Sequence, residues 1–262
     1  MTAAMPTGRA AADGMPPRVQ VIGTPVSATS FSGALHALGS LVDAGQGGYV
    51  CPANAYSLVL CRDDPHYRQI VSGAPLVTAD GMPVVWALRW LQHAQAERVH
   101  NDDLCLAACA LFPQWRHYLV GGREGQPEQV AQALRARFPG IQVVGCRPTP
   151  QRPVPALLTQ EILADIRATG ASIVWVGLGT PAQDRWMHGV AGQVAAPMVG
   201  VGSLFDLLAG RTKAAPDWMK RSGLQWLFRL AQEPRRLFTR YAVFNTRFVI
   251  ALVGQLARQG KA

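Results

Sequence analysis

The chain has 262 residues, 49% of them hydrophobic, which is enough to build one large α/β domain, alone or with an appendage. Charged residues make up 16%, below the ~25% usual for soluble domains, so an unusual share of apolar surface is expected. The net charge of +9 sits in residues 211–262, where eight Arg and three Lys face one Asp and one Glu, whereas residues 1–210 are balanced at fourteen basic and fourteen acidic, so an anionic partner is expected for the tail alone.

Residues 1–17 are rich in Ala, Gly, Met and Pro without a continuous apolar stretch, and read as a disordered leader rather than a secretory signal. Beyond them, β-rich runs at 18–22, 49–53, 76–79, 117–120, 142–144, 172–176 and 197–201 alternate with helical patterns at 31–42, 82–91, 102–111, 127–138, 155–168 and 181–190. Several of the strands are continuous apolar runs, as expected of strands covered on both faces. The alternation predicts an α/β fold, a Rossmann-like and mostly parallel sheet flanked by helices, over residues 18–210. After Gly210 the strand pattern stops. Residues 216–258 read as helices with breaks near Gly223, Pro234 and Asn245, and 211–262 form a basic helical appendage.

The five cysteines are odd in number and form no Cys-x-x-Cys, which disfavours a disulfide framework and favours a reducing cytoplasm. The six histidines show no metal-ligand spacing, so neither metal nor cofactor is expected. The longest late apolar run, 248–254, is far short of the ~20 residues that span a bilayer, so any membrane would be met at one face.

Ligands of parallel sheets collect at the C-terminal strand ends. The segments there are Asn54, Asp80-Gly81, Gly121-Gly122-Arg123, Gly145-Cys146-Arg147, Gly177-Leu178-Gly179-Thr180 and Gly202-Ser203. Glycines let a backbone approach a phosphate, and the helix N-terminus that follows favours anions. Each such turn is also an ordinary strand-to-helix connection, so their recurrence at one edge is the signal.

Asp80 ends an apolar strand, where a carboxylate either takes a proton from an acceptor hydroxyl or caps the next helix. Arg98 is a candidate diphosphate clamp, and Asp102 or Asp103 a helix cap or a holder of sugar hydroxyls. Gln183 on a first helical turn and Asp206 after Gly202-Ser203 are candidate ligand contacts. There is no Asp-x-Asp, so a leaving diphosphate would rely on arginine, loop amides and helix dipoles. In the tail, Trp218 and Trp226 interleave with Arg221, Arg229, Arg235, Arg236 and Arg240, a pattern that suits helices lying in a bilayer interface or a helical subdomain with an aromatic core.

Together these segments resemble the WecG/TagA/CpsF family of bacterial glycosyltransferases, from about Val19 to Phe248. The carrying motifs are Asn54-Ala55, Ala79-Asp80-Gly81-Met82, Glu97-Arg98-Val99 with Asp103-Leu104, Val176-Gly177-Leu178-Gly179-Thr180-Pro181-Ala182-Gln183-Asp184, Val201-Gly202-Ser203-Leu204-Phe205-Asp206, Gly223-Leu224-Gln225-Trp226-Leu227-Phe228-Arg229-Leu230 and Glu233-Pro234-Arg235-Arg236-Leu237. The resemblance implies an inverting, metal-independent transfer from a nucleotide sugar, commonly UDP-linked, to a lipid-linked sugar on undecaprenyl diphosphate, on the inner face of the cell membrane. It implies that Asp80 is the general base, that Asn54, Arg98, Asp103 and Gln183 are cleft positions, and that the basic tail meets an anionic membrane surface and completes the site. It leaves the oligomeric state open. This sequence departs from the family at Pro52 for Thr, Asn101 for Gly, Asp184 for Glu and Gln225 for Glu.

Two other classes compete. A nucleotide-sugar dehydrogenase or epimerase predicts a Gly-x-Gly-x-x-Gly, which is absent. A non-enzymatic basic protein binding membrane or nucleic acid accounts for the tail charge and leaves the strand-end motifs without a purpose, so nucleic acid is not expected as a partner.

Overall fold

A computed structural model describes residues 14–151, 153–216, 218–219 and 225–259, so most of the leader expected at 1–17 lies outside the described residues. The chain opens with a hairpin, β1 (Arg18–Val21) and β2 (Thr24–Ser27), and then α1 (Phe31–Ala44). A six-stranded sheet follows. Its strands are β3 (Tyr49–Ala53), β4 (Leu76–Ala79), β5 (Arg116–Gly121), β6 (Gln142–Arg147), β7 (Ile173–Gly177) and β8 (Met198–Gly200). The connecting helices are α2 (Ala55–Asp63) and α3 (Pro65–Gly73), α4 (Met82–Trp90) and α5 (Asn101–Leu111), α6 (Gln126–Arg137), α7 (Ala156–Thr169) and α8 (Ala182–Val190), with α9 (Leu204–Leu208) after the last strand.

The strand order is β4-β3-β8-β7-β5-β6, and every ladder is parallel. The expected sheet is therefore present, with β3 and β4 at the predicted residues. Alternate residues feed two cores, one on each face. Val174 and Val176 join Tyr118, Val120 and Met198 on one side, and Ile173 and Trp175 join Leu119 and Val199 on the other. That two-sided burial is why the strands read as unbroken apolar runs. Pro52 is tolerated in the inner strand β3 for a geometric reason. Asp80 N–H donates to Ala53 O at 2.9 Å, so the backbone of Ala53 faces β4 and that of Pro52 faces β8, where pairing has already ended at Val50.

Four elements were not anticipated: β2, α2, α3 and α9. The starts of α2 and α3 have local signals. Asn54 forms a reciprocal capping box with Ser57 at α2, and Asp64 caps α3 with Pro65 at its first position. The hairpin shields β4, the sheet edge, through Ser27 Oγ accepting from Val77 N at 3.1 Å.

In the tail, α10 (Gln225–Gln232) and α11 (Pro234–Thr239) lead through a π-helical turn (Arg240–Asn245) to α12 (Thr246–Gln259). Pro234 opens a helix, as its fixed φ allows at a first position. The break expected at Gly223 lies outside the described residues. The last helix is fastened to the core. Phe248 and Leu252 are buried in it, and Arg247 pairs with Asp63 at 2.6 Å. Gln255 accepts from Ile22 N at 2.6 Å and donates to Gln20 O at 2.7 Å, holding the hairpin turn in which Ile22 has φ 45. Among the described residues, no helix is long and apolar enough to cross a membrane.

Because Phe248 is 1% exposed and packs into the core, Phe248→Ala should cost about 3–5 kcal/mol of global stability, read from urea unfolding followed by far-UV circular dichroism. A loss confined to the tail, with the global midpoint unchanged, would contradict this packing.

Candidate active site

From β5 the chain moves outward to β6, and from β7 it moves the other way to β8, so the strand order reverses between β5 and β7. At this switch point Gly121 lies opposite Gly177, and a Cβ on Gly121 would meet Gly177 backbone atoms at 2.7 Å. A Cβ on Gly177 would meet the Phe205 ring at 2.5 Å. Both strand ends therefore require glycine for close approach, and the space beyond them belongs to a cleft of about 800 Å³ along the C-terminal edge of the sheet.

One end of the cleft is acidic. Asp80 lines it with its side chain 17% exposed. Gly81, not Asp80, takes the cap position of α4, which leaves the carboxylate available. Asn54 Nδ2 donates to Asp80 Oδ2 at 3.3 Å, while Asn54 Oδ1 accepts from Ser57 N at 3.1 Å, so the cap of α2 also orients Asp80. On the other side, His100 Nε2 lies 3.6 Å from Asp80 Oδ1, and His100 Nδ1 lies 3.9 Å from Asp102 Oδ2. Ser203 Oγ donates to that Asp102 oxygen at 2.9 Å, and burial raises the Asp102 carboxyl above its ordinary range. Asn101, where the family commonly has glycine, accepts from Thr78 Oγ1 at 2.6 Å and donates to Gly200 O at 2.8 Å, bracing the segment between two strands.

The other end is built from glycine loops. Gly177, Gly179 and Gly202 all line the cleft. Gln183 is 1% exposed. It also lines the cleft, and its Oε1 accepts from Gly179 N at 3.0 Å and from Gly202 N at 3.2 Å, so its amide ties the two loops together. Asp206 accepts from Gln126 Nε2 at 2.9 Å, and Gln126 Oε1 in turn accepts from Arg123 N at 3.0 Å. Thr149, 1% exposed at the same wall, has a hydroxyl without a hydrogen-bond partner among the described residues. The N-termini of α6 and α8 open onto this side, a setting that favours anions.

The tail roofs the cleft. Gln225, Arg229, Gln232 and Glu233 line it from α10 and the junction that follows, at helical spacing. Lys213 lines it as well, and its N–H donates to Gln232 Oε1 at 2.9 Å. Arg98 has a different place from the diphosphate clamp expected of it. It is not among the lining residues; its guanidinium bonds Gln225 Oε1 and lies 3.3 Å from Asp103 Oδ2, joining the cleft floor to the roof. Asp103 does line the cleft. Of the other tail candidates, Trp218, Trp226 and Arg235 are exposed outside the cleft, with Trp226 edge-on to Tyr241 at 5.9 Å. Arg221 and the side chains of Arg236 and Arg240 lie outside the described residues.

Arg123, in a strand-end segment singled out from the sequence, does line the cleft, whereas sequence reasoning missed His100, Gln126, Thr149 and Lys213. The finished cleft has carboxylates at one end and Arg123, Arg137, Lys213 and Arg229 among its cations. Such a site can accept a proton at one end and stabilise a departing anion at the other.

Residues 19–262 match the family described as Glycosyl transferase WecG/TagA/CpsF family. The chain belongs to this family. Its members are glycosyltransferases of cell-surface polysaccharide synthesis, and this protein is accordingly an enzyme of that class, acting between a nucleotide-sugar donor and a sugar acceptor.

Two predictions concern the frame of the site. Arg98→Ala removes the link to Gln225, so amide hydrogen exchange over residues 225–232 should accelerate by at least about tenfold, as for a loss of ~1.4 kcal/mol of local stability. Unchanged protection would show that the roof is held by other contacts. Asp184, fully buried behind the loops, accepts from Tyr67 Oη at 2.6 Å, and burial pushes its carboxyl up to about 6 from 3.8. The folded state therefore holds a proton more tightly than the unfolded chain, and this contribution to stability is lost as pH rises from about 4 to about 6. Asp184→Asn should gain stability relative to the parent across that window, in urea midpoints measured at both ends; a constant difference would refute the linkage.

Proposed function

We propose that the protein is an inverting, metal-independent hexosyltransferase whose donor is a UDP-linked sugar and whose acceptor is a sugar carried on undecaprenyl diphosphate at the inner face of the membrane. The observation that carries this reading is one cleft lined by an oriented carboxylate together with glycine loops, helix N-termini and arginines. In the reaction, the acceptor hydroxyl gives its proton to Asp80 while its oxygen bonds to the anomeric carbon. The bond from that carbon to the diphosphate oxygen breaks, and the electron pair leaves with the diphosphate. One displacement inverts the anomeric centre. The developing charge falls toward the amides of the Gly177 to Gly179 loop, the α6 and α8 termini, and Lys213 from the roof.

The absence of any Asp-x-Asp in the sequence favours this cationic arrangement for the leaving group. The net +9 of residues 211–262, with Trp218, Trp226 and Phe238 exposed, favours an anionic lipid surface as the place where the acceptor is met. Asp80→Asn keeps the shape and removes the base, so it should lower kcat by ~10²–10⁴-fold with donor KM within about twofold.

The test is a screen of UDP-hexoses and UDP-N-acetylhexosamines, with and without an undecaprenyl-diphosphate-linked sugar in anionic vesicles, scored by release of UDP. Acceptor-dependent release that is lost in Asp80→Asn is the expected result. Release from no donor would overturn the donor assignment, and near-normal turnover by the Asn variant would overturn the base.

A further inference from the structure

The acidic end of the cleft contains a group that the proposed reaction does not use. His100 is 8% exposed and stands between two carboxylates, with Asp80 Oδ1 at 3.6 Å from Nε2 and Asp102 Oδ2 at 3.9 Å from Nδ1. Its Nδ1 is buried without a hydrogen-bond partner among the described residues. A buried ring nitrogen left in this way costs free energy unless something close by compensates it, and the nearest compensation is the carboxylate it faces. The ring is not mispositioned by a loose segment. His100 occupies the cap position of α5, and the next residue, Asn101, is bonded to Thr78 on β4 and to the Gly200 carbonyl at the end of β8. Asp102 is in turn held by Ser203.

We propose that His100 is the positioning residue of the base: its imidazolium bridges Asp80 and Asp102, handing one N–H to each, and so keeps the Asp80 carboxylate ionised and aimed at the acceptor hydroxyl. The proposal rests on Asp80 being the base. His100 acts through Asp80 and touches no reacting atom. The chemistry follows from the charges around the ring. Asp80, Asp102 and Asp103 bring three carboxylates to the acidic end of the cleft. Without a cation between them, proximity and burial would hold one or more protonated, and a protonated Asp80 cannot accept a proton. Asp103 is matched by Arg98, and Arg229 lies close enough to act electrostatically on Asp102. Neither arginine contacts Asp80, whose side-chain neighbours are Asn54 and His100. Among the described residues, His100 is therefore the cation placed to act on the base. The two distances become ordinary charge-assisted hydrogen bonds with shortening of about 0.8 Å at Asp80 and about 1.1 Å at Asp102.

Two measurements on the full-length protein test this. The first needs no substrate. With ¹⁵N-labelled histidine at pH 7, the His100 ring, identified by its loss in His100→Gln, should show both nitrogens protonated in the parent protein and a neutral tautomer in Asp80→Asn. A neutral His100 ring in the parent overturns the proposal. The second uses the donor that releases UDP in the screen above. His100→Gln, close in size and uncharged, should lower kcat about 10–100-fold, part of the ~10²–10⁴-fold that a general base supplies. Donor KM should stay within about twofold, and the acid limb of the kcat profile should move to higher pH. Loss of active protein alone would lower kcat at every pH without moving the limb, and that outcome overturns the proposal as well. If Asp80→Asn proves as active as the parent, the reading of Asp80 as base has failed. If Asp80→Asn is inactive while His100→Gln keeps its kcat and its pH profile, only the role of His100 has failed.

Discussion

The cleft depends on how one carboxylate is held at a strand end. Asp80 extends β4, and its N–H still belongs to the ladder through the Ala53 carbonyl. Its side chain meets Asn54, the residue that follows β3. Asn54 cannot move freely, because its other amide atom caps α2. Sheet pairing, a helix cap and the Asp80 carboxylate are thus one connected arrangement, and disturbing the first two tilts the third. Buried polar networks of this kind impose geometry at the cost of requiring every partner to be present.

The same economy governs the opposite wall. Gln183 would be unremarkable as a buried amide, but it accepts from two glycine N–H groups on different loops. Glycines give a backbone room to approach an anion, yet they also leave it free to move. A side chain that ties the two loops together restores rigidity. The roof follows a related logic. Arg98 and Gln232 fasten α10 from below and from the side, Phe248 and Leu252 anchor the end of the tail in the core, and Arg229 is left facing inward.

Much of the scaffold was legible in the sequence because it is written in local terms. Apolar runs such as Leu76-Val77-Thr78-Ala79 mark strands buried on both faces, and Asp80-Gly81 marks where one ends. The start of α3 is equally local, a capping Asp64 followed by Pro65 at the first helical position. The roles of Arg98, Gln183 and His100 were not local at all. Arg98 finds Gln225 from 127 positions away, and Gln183 finds Gly202 from 19. An arginine beside a cleft motif looks like a clamp until the tail helix is seen to occupy it. The Thr149 hydroxyl, likewise, becomes a cleft group only when the stretch after β6 folds back on Gly122.

The charge distribution connects these observations. Residues 1–210 carry no net charge, and the acidic end of the cleft is formed entirely by them, through Asp80, Asp102 and Asp103. The surplus of positive charge arrives with the tail, and its contributions to the cleft, Arg229 and Lys213, line the wall built from the roof. A site assembled in this way is electrostatically complete only when the tail is seated. Because α12 is anchored in the core while α10 is tied to the floor mainly through polar contacts, the two ends of the tail differ in how firmly they are held. Few buried apolar contacts and exposed polar links are the features of segments that open locally. The roof is therefore the part of the cleft wall that opens with least loss of buried apolar contact.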